Sequence, residues 1–392
     1  MRMSRSGEVS GRRCRPFAHF TVRIAARGAK LGRMTANSAG GALRAQASTT
    51  PPRPSRRAFL GATAALACVP GRAFGQSAGK RRDVVAKLVD DVRRNYQDEA
   101  AAARLAAALQ RGLDAGAYDD DATSEAAFAE RLTRDLRAVV DDRHMAVMSG
   151  MVGKEPDITV DPAFALKLNY GVQSVRRLAG NVGLIELNFF PSPTFGDALF
   201  DRYAAAMTLV RDTRALIVDV REHMGGDPAT VAYFASYFFD RAPFVINRIR
   251  YRAARVAAFA TTATPRGIRY GERRPLLVLT SPRTFSGAEE LAYDLQATRR
   301  ARVVGEVTGG GANPNEAFDL GGGFVAYIPN GAAVNPVTGS NWEGVGVKPD
   351  VVVAAAKALV PTQRLALEAA LDLAREDDER RSIREALDAL TG

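Results

Sequence analysis

Short runs of aliphatic and β-branched residues alternate with helical stretches through the middle of this chain, and no other feature restricts its fold as much. The runs are Val182-Gly183-Leu184-Ile185-Glu186-Leu187, Ala215-Leu216-Ile217-Val218-Asp219-Val220, Leu276-Leu277-Val278-Leu279 and Val303-Val304-Gly305. Phe324-Val325-Ala326-Tyr327-Ile328 continues the series. Helical segments fall near residues 196–211, 228–239, 287–299 and 361–375. Strands alternating with helices predict an α/β layer architecture, and near-continuous apolar runs predict strands covered on both faces.

Residues 80–140 have a different texture. Val85, Leu88, Val89, Val92 and Tyr96 repeat at helical spacing, and so do Phe128, Leu132, Leu136 and Val139. Between them Ala100–Leu113 is alanine-rich and free of breakers, and Gly116–Asp121 carries turn signals. This pattern predicts an N-terminal helical bundle over 76–150, ahead of an α/β core over 151–360 and a C-terminal helical segment over 361–392.

The net charge of +11 looks like an invitation to nucleic acid, but it is concentrated at one end. Residues 1–75 hold 14 of the 54 Lys and Arg and one of the 43 acids (Glu8), a net of +13; the remaining 40 bases and 42 acids leave −2. A nucleic-acid partner needs a basic face on the folded body, and none is implied. The leader contains Ser55-Arg56-Arg57-Ala58-Phe59-Leu60, a twin-arginine signature. An apolar run from Gly61 to Val69 and the small-x-small signal Ala73-Phe74-Gly75 follow it. Export to the periplasm or beyond is therefore expected, with translation beginning in reality at Met34. The run is too short to span a bilayer. Cys14 and Cys68 both lie in this leader, so the mature chain is expected to have neither a disulfide nor a thiolate nucleophile.

Only His144 and His223 remain as histidines in the mature chain. No HExxH, paired CxxC or Walker loop occurs, and Asp141, Asp142 and His144 make a poor metal set, so neither metal nor cofactor is expected. Gly309-Gly310-Gly311 reads as a turn where backbones pass closely. Ser286-Gly287-Ala288-Glu289 follows a strand and opens a helix. As Ser-x-x-Glu it is a capping box; as a serine at a strand-to-helix turn it is also a place for a nucleophile. On these residues alone capping is the simpler reading. A second turn of the same kind, Asp219-Val220-Arg221-Glu222-His223-Met224-Gly225-Gly226, could leave glycine N–H groups free for an oxyanion.

Taken in order, these segments resemble the tail-specific (C-terminal-processing) serine protease family. Thr284-Phe285-Ser286-Gly287-Ala288-Glu289-Glu290 and Val304-Gly305-Glu306-Val307-Thr308-Gly309-Gly310-Gly311-Ala312 are similar to its active-site elbow and loop. Asp219-Val220-Arg221 with Gly225-Gly226 resembles its DxRxNxGG turn, and Asn341-Trp342-Glu343-Gly344-Val345-Gly346-Val347-Lys348-Pro349-Asp350 its EGxGVxPD segment. The helical region ending at Asp141-Asp142-Arg143-His144 resembles the branch that includes interphotoreceptor retinoid-binding protein and the tricorn core protease.

The resemblance implies a crotonase/ClpP-like β-β-α core and a serine-type peptidase acting on peptides or unfolded proteins. Ser286 would be the nucleophile and His144 the general base, with Glu343 completing the constellation. The N–H groups of Gly287 and of Gly225 or Gly226 would form the oxyanion hole. Three departures matter. Gly310 stands where the processing branch has its lysine, which removes a Ser–Lys dyad. Arg143 stands where the tricorn-like branch has a serine, and His223, in place of an asparagine, is a rival base. The stretch between His144 and Val182 is too short for a PDZ module. The same scaffold implies two alternatives: a non-catalytic carrier of apolar ligands, and a non-peptide serine esterase.

Overall fold

A computed structural model describes residues 78–119, 123–150, 159–241 and 243–390. The expectations for the leader, from the twin-arginine motif to Cys14 and Cys68, lie outside the described residues. In chain order, α1 (Ala78–Asn95), α2 (Glu99–Asp114) and α3 (Glu125–Arg137) precede β1 (Ala146–Ser149). A short α4 (Pro162–Lys167) leads into β2 (Val172–Leu178) and β3 (Val182–Leu187). Then come α5 (Asp197–Val210), β4 (Ala215–Asp219), α6 (Pro228–Ala235), β5 (Val245–Tyr251) and β6 (Val256–Ala260). A second βαβ unit follows: β7 (Leu276–Thr280), α7 (Gly287–Ala297) and β8 (Arg302–Gly305). The chain continues through β9 (Asn315–Gly321), β10 (Phe324–Pro329), β11 (Gly331–Val334), β12 (Val351–Val352), α8 (Leu359–Leu373) and α9 (Asp377–Ala389).

The apolar runs become the middle of a six-stranded sheet of order β12-β8-β7-β4-β3-β2, parallel throughout except for the β2–β3 pair. Because side chains alternate along a strand, each run serves two cores at once. Ile185, Leu216, Val218, Val278 and Val303 pack with α5, α6 and α7, while Leu184, Ile217, Leu277, Leu279 and Val304 pack with α8 and α9. A mixed α/β architecture with a mostly parallel sheet is therefore what this segment builds.

The N-terminal layer differs from a self-contained bundle. The apolar faces of α1, α2 and α3 share a core with Met145 and Val147 around β1 and with Leu320, Phe324, Ala326 and Ile328 of β9 and β10. β1 pairs antiparallel with β10, Ala146 facing Tyr327, and β10 pairs with β9. Phe324–Ile328 thus belongs to this second sheet and does not extend the first. Three short helices cannot close a core alone, and the chain completes it with strands from residues 315–329. The hairpin of β5 and β6 joins β11 in a third sheet.

On α7 the fold tolerates an unusual pair. Glu290 and Asp294 are one turn apart and buried, and Glu290 Oε1 and Asp294 Oδ2 lack hydrogen-bond partners among the described residues. Asn335 Nδ2 donates to the other Asp294 oxygen at 2.7 Å. Burial pushes the Glu290 carboxyl from 4.5 up to about 8, and Asp294 well above its ordinary value. A carboxyl whose pKa is higher folded than unfolded binds its proton more tightly in the native state. For Glu290, stability then falls as pH rises from about 4.5 toward 8, by up to roughly 1.4 kcal/mol per pH unit. Thermal unfolding followed by circular dichroism across that window is expected to show Tm falling in the wild type, and a flatter profile in Glu290→Gln. A parallel slope in both proteins would refute the assignment.

Candidate active site

The turn from β7 to α7 is laced onto the turn that follows β4. Thr284 Oγ1 donates to the Val220 carbonyl (2.8 Å), Ser281 Oγ to the Arg221 carbonyl (2.5 Å), and the Phe285 N–H to the His223 carbonyl (3.1 Å). Arg221 in turn grips Asp219 through Nε (2.9 Å) and Nη2 (2.6 Å) and donates Nη1 to Ala355 O (2.6 Å). The Asp-x-Arg pair therefore holds the loop in shape. Ser286 comes next, half-buried, with φ 54 and ψ −122. A residue with a Cβ is strained there, at a cost of order 1–3 kcal/mol. The capping-box arrangement is present, and its firm half is the Ser286 N–H donating to Glu289 Oε2 at 2.9 Å.

The glycine turn comes up against this elbow. Gly225 and Gly226 have φ of 105 and 134. A Cβ on Gly225 would lie 2.7 Å from Ser286 Cβ, and one on Gly226 would lie 2.0 Å from the Phe190 carbonyl oxygen. The Gly225 N–H donates to His223 Nδ1 at 3.0 Å. A Cβ on Gly287 would sit 3.2 Å from the Gly226 nitrogen, so these two amides are neighbours. Among the described residues neither the Gly226 nor the Gly287 N–H has an acceptor. His223 itself is fully buried, stacked on Phe190 at 4.4 Å, and burial drives its imidazole from 6.5 to about 3. It acts as a neutral acceptor for a backbone amide.

Glu289, expected only as a capping residue, is wholly buried and holds far more. Besides the Ser286 amide it accepts the Thr308 hydroxyl, the Gly310 N–H (2.7 Å) and the Gly311 N–H (2.8 Å). The triple-glycine run is thus a pinned loop. A Cβ on Gly311 would lie 2.3 Å from Phe285 Cζ and 2.7 Å from His144 Cε1; one on Gly310, with φ 84, would meet the Gly344 and Gly346 backbone at 3.2 Å. Two aromatic side chains crowd Gly311 and a second backbone segment crowds Gly310, so any larger residue would force a shift.

His144 packs against Phe285, with ring centroids 4.7 Å apart, and makes no hydrogen bond to Ser286 in this conformation. Its Nδ1 is buried without a partner among the described residues, and burial, helped by Arg137, lowers its pKa from 6.5 to about 4. Beside it Asp142 accepts the Tyr96 hydroxyl (3.1 Å), Asn313 Nδ2 (2.8 Å) and the His144 N–H (3.1 Å). Glu343 accepts the N–H groups of Arg143 (3.0 Å), Ala312 (2.6 Å) and Asn313 (2.9 Å). Burial, reinforced by Asp142, raises Glu343 to about 7. It therefore ties the His144 turn to the loop after β8.

Asp142, His144 and Glu343 are also the group that could hold a metal, with ligand atoms within 4.8 Å of one another, although each carboxylate already accepts three hydrogen bonds. A polar cavity of about 360 Å³ opens against Asp142 and Glu343. The structure gathers Ser286, Gly287, Gly225 and Gly226 at one point and His144 with Glu343 beside it, Phe285 and Gly311 lying between. Sequence reasoning missed the Asn313 and Tyr96 contacts, and no local pattern marked either residue.

Residues 181–353 match the model of Peptidase family S41. A carboxy-terminal-processing protease of Bartonella bacilliformis is 25% identical over 182 residues, which is 45% of this chain and 40% of that protein. The chain thus spans well under half the length of this curated relative. Among solved structures, a candidate peptidase of Parabacteroides merdae superposes with a TM-score of 0.56 at 18% identity, covering 77% of this chain and all of the other. A lipoprotein of Streptococcus agalactiae gives 0.52 at 15%, covering 75% and 97%. Both share the fold with this chain. Residues 181–353, which carry the elbow and the glycine turn, are thus similar to Peptidase family S41 over a little under half of the chain.

Proposed function

We propose that the protein is a serine-type peptidase that cleaves peptide bonds through an acyl-enzyme on Ser286. The observation that carries this reading is the Ser286 elbow: a strained, half-buried serine at a helix N-terminus beside the two unengaged amides of Gly226 and Gly287. Those amides would stabilise the oxyanion as Ser286 Oγ adds to the carbonyl, in a position favoured by the α7 dipole. Gly225, which gives its N–H to His223, would shape the hole without donating to it. His144 takes the serine proton and returns it to the leaving amine, and water then releases the acyl group by the same route. A modest side-chain movement would bring His144 to Ser286, as hydrogen bonds of this kind commonly tighten only with substrate bound. Asp142 and Glu343 hold the His144 turn through the backbone N–H groups of His144 and Arg143.

A histidine base would be in keeping with the tricorn and retinoid-binding branch rather than the Ser–Lys branch. Gly310 supports this, since its positive φ and the backbone 3.2 Å from any Cβ there disfavour a lysine. The twin-arginine leader supports export to the periplasm or beyond. Among the described residues no helix is long and apolar enough to cross a membrane.

A fluorophosphonate probe tests the reading. Labelling is expected in the wild type, none in Ser286→Ala, and a loss of roughly 10²-fold or more in rate in His144→Ala. Folded wild type that takes no label would overturn the peptidase. The base works unprotonated, so its depressed pKa puts the acid limb of the labelling rate near pH 4 rather than 6.5. A limb at 6.5 would mean an open, solvated imidazole.

A further inference from the structure

A second cavity, about 590 Å³, lies at the opposite end of the main sheet from Ser286. It is bordered by Pro275 and Leu276 at the start of β7 and by Ala301 and Arg302 at the start of β8, whereas Ser286 follows the end of β7. The five residues of β7 alone separate the two by about 16 Å. The volume falls in the ordinary range for small-molecule sites.

Five arginines reach this cavity: Arg273, Arg274, Arg299, Arg300 and Arg302. None of them forms an ion pair among the described residues. Three acids also border the cavity, fewer than the arginines. Glu272 faces Arg241 at 3.8 Å, and Asp350 accepts the Val303 N–H at 2.7 Å; Asp372 is the third. Two of the guanidinium groups are locked in place by carbonyls, which satisfy donors without cancelling charge. Arg300, 9% exposed, donates to Phe238 O (2.7 Å) and Gly271 O (2.6 Å), and Arg274 to Thr213 O and Tyr270 O, both 2.9 Å. Arg273, Arg299 and Arg302 are exposed at the rim. The opposite wall is apolar: Leu365, Ala369 and Leu373 recur every fourth residue along α8, and Leu373 is 55% exposed.

Five guanidinium groups face three carboxylates around the cavity, and a fixed guanidinium fork matches a planar carboxylate or a phosphate. We infer that this cavity is a binding site for a small amphipathic anion, with a carboxylate or phosphate head among the arginines and an aliphatic body along α8. The site is separate from the Ser286 elbow and stands whether or not the protein is a peptidase.

Isothermal titration of the full chain with octanoate and octyl phosphate tests it, with octanol and inorganic phosphate as controls. Saturable binding of at least one octyl anion is expected, and the tighter of the two names the head group. The Arg299→Ala/Arg302→Ala double variant, changed only at exposed positions and checked for fold by circular dichroism, is expected to weaken that binding about tenfold. The inference is overturned by absence of saturable binding, by an unchanged affinity in the double variant, or by octanol binding as tightly as the anions. Inorganic phosphate binding as tightly as octyl phosphate would equally remove the apolar half of the site.

Discussion

Ser286→Gly is expected to unfold at a higher temperature than the wild type and to cleave nothing. The residue sits at φ 54 and ψ −122, where a Cβ is strained and glycine is at ease. Relief of strain of order 1–3 kcal/mol is offset by roughly 0.5–1 kcal/mol of extra chain entropy in the unfolded state. The net gain is about 1 kcal/mol, or a rise in Tm of about 2 °C. The Ser286 amide and its bond to the Glu289 carboxylate survive the change. Catalysis does not, and loss of a serine nucleophile costs on the order of 10⁶-fold in kcat. Ser286→Ala supplies the contrast, equally inert but without relief at φ. If Ser286→Gly melts no higher than Ser286→Ala, the elbow stores no strain.

Glu289→Ala is expected to be the most damaging single change near the site for stability. Four donors, the Ser286, Gly310 and Gly311 amides and the Thr308 hydroxyl, converge on one carboxylate that is wholly buried. Removing it strands these donors away from water, at about 1–3 kcal/mol for each that finds no new partner. Partial repacking brings the expected loss to roughly 3–5 kcal/mol. Glu289→Gln keeps one carbonyl oxygen but turns an amide NH₂ toward donors, so it should lose about half as much. Urea unfolding with an unchanged m-value measures both. A loss below about 1 kcal/mol in Glu289→Ala would show that the network is not holding the elbow to the glycine loop. Because Gly311 packs against both His144 and Phe285, activity should fall more steeply than stability.

Much of this was legible before any coordinate. The strands at 182–187, 215–219, 276–280 and 302–305 follow from short runs rich in aliphatic and β-branched residues, which a sheet covered on both faces buries. The start of α7 at Ser286-Gly287 and the glycine turn at 225–226 follow from the few residue types that suit such turns. Less was legible at the edges. β10 looks like one more core strand, yet it pairs with β1, about 180 residues away, because the N-terminal helices needed a sheet to close their core.

The same division runs through the site. Ser286, His144, Glu343 and the glycines were all nameable from the chain, since each stands in a short segment with its own chemistry. Their working arrangement was not. That Gly225 spends its amide on His223 while Gly226 keeps its own free depends on the rotation of two peptide planes. That Glu343 clasps the turn at residue 143 depends on a bond across 200 positions. Local preference acts within a few residues, where backbone sterics and capping set the outcome. Partners so far apart leave no periodic trace, and only the packed core brings them within hydrogen-bonding distance.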